Sequence, residues 1–141
     1  MNLKILPTII LLLLFVNLSF AQDTKWNETK NWKLYKLNNR AAFNYSADTL
    51  RHFKSLALSD SVMQGFLSSV SVWPLEKKSV WMGLLVATYE TGDNKLCKVN
   101  ISNYGGFFFD ENSKSYYQLP ESLRNDWIKY LNGELDKLFA E

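Results

Sequence analysis

The chain has 141 residues, 47% hydrophobic and 15% aromatic, with sixteen lysines and arginines against fourteen acids. A net charge of +2 leaves no basic surplus to draw nucleic acid or an anionic membrane as partner. One histidine and one cysteine supply neither the three or four nitrogen and sulfur ligands of a transition-metal site nor an intramolecular disulfide, so no metal and no cofactor is expected.

Residues 1–21 open with Lys4 as their only charge, run apolar through residues 5–15 and end on Ser19-Phe20-Ala21, the small-x-small form that signal peptidase cuts. The expectation is export to the periplasm or beyond, with cleavage after Ala21 and no stable membrane insertion afterwards. No second apolar run approaches the roughly 20 residues of a membrane span. Residues 22–141 then form one domain with fifteen cations against fourteen anions, net +1, and enough chain to bury a core without staples.

Residues 22–31 are polar apart from Trp26 and read as a loose arm. Residues 32–37 and 41–45 are short β-like runs flanking Asn38-Asn39, a pair that tolerates the positive φ of a tight hairpin. Ser46 is a good N-cap with Asp48 in the first turn, and Leu50, Phe53, Leu56 and Ala57 keep helical spacing. Ser59 restarts the pattern, with Val62, Met63, Phe66, Leu67 and Val70 as a second helix's apolar stripe. The two helices are expected to form one N-terminal layer, closed by Trp73-Pro74.

Residues 80–87, VWMGLLVA, are too short and too β-rich for a helix, and Gly92-Asp93-Asn94 follows as a turn. A two-residue turn there places Met82, Leu84 and Val86 on one face with Cys97, Val99 and Ile101, facing the core. The other face then gathers Trp81, Leu85, Ala87 and Tyr89 beside Lys98, Asn100 and Ser102, and Trp81, Tyr89, Lys98, Asn100 and Ser102 are the candidate ligand-binding residues. Gly105-Gly106 predicts a bulge, a tight bend or a close backbone approach before Phe107-Phe108-Phe109. Residues 110–114, DENSK, are a polar hairpin loop, and Tyr116-Tyr117 begin the return strand. After Pro120, Leu123, Trp127, Leu131, Leu135 and Leu138 recur at helical spacing as a C-terminal helix through Gly133. The fold class is therefore α+β: an antiparallel β-meander packed against two short N-terminal helices and one C-terminal helix.

Few residues carry chemistry. Asp48 lies one helical turn before His52 and would orient it as a base, but no third partner follows in sequence. No phosphate loop and no Gly-x-Ser-x-Gly elbow is present. Asp48-Thr49-Leu50 and Asp60-Ser61-Val62 resemble bacterial O-glycosylation sites but read better as helix starts. Aromatics are the remaining resource, since tryptophan and tyrosine give large contact area at low entropic cost. The leading reading is a small exported, non-catalytic module that binds a protein, an apolar small molecule or a glycan. The rivals are a cofactorless hydrolase centred on His52 and a structural envelope component.

Overall fold

The computed structural model of the protein describes residues 24–37, 44–73, 84–102 and 106–140. Their centre is a sheet of seven antiparallel strands in the order β2-β1-β4-β5-β6-β7-β3, so the fold is α+β. The strands are β1 (Lys30–Tyr35), β2 (Ser55–Ala57), β3 (Ser71–Val72), β4 (Leu84–Glu90), β5 (Leu96–Ser102), β6 (Phe107–Asp110) and β7 (Ser115–Gln118). The helices are a 3-10 turn at Thr24–Glu28, then α1 (Ala47–Leu50), α2 (Asp60–Leu67) and α3 (Glu121–Ala140). The expected meander is β4 to β7, each strand paired with the next.

Cys97, Val99 and Ile101 face inward into the main core with Leu34, Phe108 and Tyr117. Met63 and Leu67 of α2 and Trp127, Leu131 and Leu138 of α3 join the same cluster. The β4–β5 register corrects the parity drawn from the turn. Leu85, Ala87 and Tyr89 pair with Ile101, Val99 and Cys97, so these residues share the inner face, and Val86 and Thr88 share the outer face with Lys98 and Asn100. The cause is loop length. Thr91 N–H donates to Lys95 O at 3.0 Å and Asn94 N–H to Thr91 O at 2.9 Å, with Asn94 at φ +64°, leaving three loop residues. A type I turn followed by a left-handed residue makes such a loop, and one residue more than a two-residue turn moves every side chain to the opposite face.

Four further expectations change. The hairpin between residues 32–37 and 41–45 does not form along β1, because both edges of that strand are taken, one by β2 and the other by β4; residues 38–43 lie outside the described residues. The helix begun at Ser46 stops at Leu50, and Ser55–Ala57 is instead the strand that covers the free edge of β1. Propensity yields there to pairing, and Phe53 leaves the helical stripe to stack on Tyr45 at 5.2 Å. The two short helices do not share a layer, since Leu50 of α1 packs on the outer face with Tyr35 and Val86. Finally, the segment read as a loose arm is docked: Trp26 is fully buried, 5.6 Å from the ring of Tyr89 and edge-on to Tyr117 at 5.3 Å.

Local chemistry explains the docking. The Thr29 hydroxyl donates to Trp26 O at 2.8 Å and accepts from Trp32 Nε1 at 3.1 Å, while Gln64 Nε2 reaches Thr29 O at 2.6 Å. At the bulge in β1, Asn31 takes φ +54°, and the N–H groups of Asn31 and Trp32 both donate to the Asp60 carboxylate. Asp60 opens α2, so one carboxylate ties the bulge to a helix start where an anion is favoured. At Gly106, φ is +69° and a Cβ would stand 3.1 Å from Leu119, the close approach expected of the paired glycines.

Candidate functional site

Among the described residues, chemistry-bearing side chains gather in two places. The first is inside. Asp110 ends β6 on the inner face with no exposed surface, and its carboxylate accepts from Lys25 Nζ at 2.5 Å, Tyr89 OH at 2.7 Å, Ser113 Oγ at 2.6 Å and the N–H groups of Asn112 and Ser113. Burial pushes this carboxyl up, but the bonds from Lys25, Ser113 and Tyr89 together outweigh it and hold the group below its usual range. Tyr89 is pushed well above the ordinary phenol range, first by burial and then by Asp110. A carboxylate with five donors has no lone pair left to abstract a proton, so the cluster holds the β6–β7 turn and the N-terminal segment together. Cys97 beside it is buried, and burial pushes its thiol up, the reverse of the electropositive setting that makes a cysteine nucleophilic.

The second place is the outer face, where α1 lies over β5. Ser46 caps α1 by accepting from Thr49 N–H at 3.1 Å, which fixes the entry of the chain, and Leu50 drops onto Tyr35 and Val86. Lys98 rises beneath this segment, 7% exposed, donates to Tyr45 O at 2.9 Å and lies 3.7 Å from Glu111. Burial pushes its ammonium pKa down, with Glu111 pulling the other way. Asn100, one pleat on, donates to Glu111 at 3.5 Å, and its Oδ1 is buried without a partner among the described residues.

Grooves open on both sides of Leu96. One of about 470 Å³ is walled by residues 44–47, Lys95, Lys98, Glu111 and Asn112. The other, about 270 Å³, is walled by Asn31, Lys33, Tyr35, Arg51, Thr88 and Glu90. Farther along the same face Trp73 stacks on Phe107 at 4.5 Å, and Phe109 meets Tyr116 at 4.5 Å, directly across from Asn100.

Of the candidate residues, Lys98, Asn100 and Ser102 share this outer face. Tyr89 does not join them: it is buried on the inner face with its hydroxyl on Asp110. Trp81 lies outside the described residues. His52 is exposed in the turn after α1, and Asp48 is 3.4 Å from Arg51. Lys33, Arg51 and Glu111 escaped the sequence reading. Alternation in Trp32-Lys33-Leu34-Tyr35 would have put Lys33 outward, but the path of α1 that brings Arg51 over the sheet has no local signal. Among the described residues no helix is long and apolar enough to cross a membrane. No family model, curated protein or solved structure matches the chain.

Proposed function

We propose that the protein is a small exported, non-catalytic binding module, with residues 1–21 as its export signal and residues 22–141 as the functional domain. Its ligand surface is the outer face of the sheet around Lys98, Asn100 and Ser102. One observation carries this reading: Lys98 is a buried cation at the wall of a groove of about 470 Å³, held to the backbone of the segment that roofs it. A fold has little reason to bury an ammonium where leucine would pack, and polar groups converging on a concavity are the usual mark of a binding site. The wall of this groove is more polar than apolar, which favours a glycan or a polar protein segment over an apolar small molecule.

The test is amide-shift mapping of residues 22–141 against panels of oligosaccharides, peptides and small acids. Ligand-induced shifts clustered at Lys98, Asn100 and Ser102 are expected. Shifts centred on His52 with substrate turnover abolished by His52→Ala would overturn the reading in favour of a hydrolase, and no shifts on this face with any panel would leave a structural component.

A further inference from the structure

We infer that the two outer-face grooves form one continuous site for an acidic oligosaccharide, a polyhydroxyl chain bearing carboxylates. This rests on the binding reading above and assigns its ligand class.

The first observation is a row of like charge. Lys33 on β1 stands directly across from Thr88 on β4, and Thr88 directly across from Lys98 on β5. The backbone positions of two lysines thus lie on one line across the sheet, two strand spacings or roughly 10 Å apart, with a neutral threonine between them. That distance is of the size a disaccharide covers. Thr88 is buried and bonded to Tyr35 OH at 3.0 Å, so it does not neutralise the row.

The second observation is the charge of the walls. Arg51 adds a cation in the smaller groove, with Asp48 3.4 Å from it, and Lys95 one in the larger, so the walls themselves carry four cations against Glu90 and Glu111. Both carboxylates are engaged, Glu90 by Asn31 Nδ2 at 2.9 Å and Glu111 by Lys114 at 2.8 Å as well as by Lys98 at 3.7 Å. The surplus is positive and sits where like charges repel, which an anionic ligand relieves.

The third observation separates a sugar from a peptide. An extended peptide of comparable affinity needs an apolar anchor in a pocket or a free strand edge. The apolar wall here is Leu96, Ala47, Cys97 and the rings of Tyr45 and Tyr35, with no deep apolar pocket among them, and β1, β4 and β5 are interior strands with both edges paired. Side-chain amides, hydroxyls and backbone of residues 44–47 line the grooves instead, the groups that pair with sugar hydroxyls.

The experiment titrates residues 22–141 with hexagalacturonate, maltohexaose and hexaglutamate by calorimetry and amide-shift mapping. Hexagalacturonate alone should bind, shifting Lys33, Thr88 and Lys98, with affinity falling as salt rises. The pair Lys33→Glu and Arg51→Glu, both exposed and checked for unchanged thermal unfolding, should weaken it at least about tenfold, or about 1.4 kcal/mol. Equal binding of maltohexaose, or tighter binding of hexaglutamate, overturns the ligand class while the binding reading stands. Failure of hexagalacturonate, with another ligand shifting Lys98, Asn100 and Ser102, does the same; silence of the outer face to every probe removes both.

Discussion

Asp110 and Lys25 stand 85 residues apart in sequence and meet through a buried carboxylate. The energetics of such a pair are asymmetric: forming it gains little over an apolar pair, but removing one partner strands the other. Asp110→Asn should therefore cost about 3–5 kcal/mol at pH 7, read as a shift in the urea midpoint at constant slope. The sign with pH follows from the carboxyl lying below its usual 3.8 in the folded chain. Its contribution is complete above that value and is lost as pH falls through the lower folded pKa, so the parent's advantage over Asp110→Asn should shrink in acid. An advantage that stays constant down to pH 2 would show that the pair is not ionised. At this scale the sequence is legible for what is local and blind to what is not. Asp110 is a recognisable turn residue and Cys97 an inward one, whereas nothing near Lys25 announces its partner.

At the scale of elements, periodicity identified the strands of the meander and the terminal helix because their apolar faces repeat over enough residues to set a phase. It failed where phase depends on a single residue. Asn94 at φ +64° is that residue, and its conformation decides which face of β4 is core. Asn94→Ala should cost about 1 kcal/mol, since the left-handed region is strained for a residue with a Cβ, and Asn94→Gly should match or exceed the parent. Equal thermal stability of the alanine and glycine variants would mean that the turn does not need the left-handed residue. The N-terminal segment failed differently: its one apolar residue gives no period, so Trp26 could not be told from a solvated arm. Trp26→Ala should cost about 3–5 kcal/mol, as for other buried aromatics, and truncation before Trp32 should leave a chain that does not fold cooperatively. A loss below about 0.5 kcal/mol in denaturant would restore the loose arm.

Across the whole molecule the sheet is buried on both faces by unequal means. The inner face carries α2, α3 and the N-terminal turn over a large cluster, and the outer face near β1 and β4 carries Leu50 with Tyr35 and Val86. Leu131, in the middle of α3 and buried, should cost about 2–5 kcal/mol of global stability when replaced by alanine. Leu50→Ala should behave otherwise. With so few neighbours to hold it, α1 can open while the rest of the sheet stays folded, and a residue acting through a local opening cannot cost more than that opening. Amide exchange separates the two cases. In Leu50→Ala the amides of Leu50, Arg51 and Phe53, which bond within this segment, should lose protection by a larger factor than those of β5, whereas Leu131→Ala should lower protection throughout. Equal loss at both places in Leu50→Ala would make α1 part of the cooperative core. A local opening bears on binding, because α1 and its flanking residues wall both grooves. A ligand seated between that segment and Lys98 should then raise the protection of the Leu50 and Phe53 amides by the factor with which it favours the closed form.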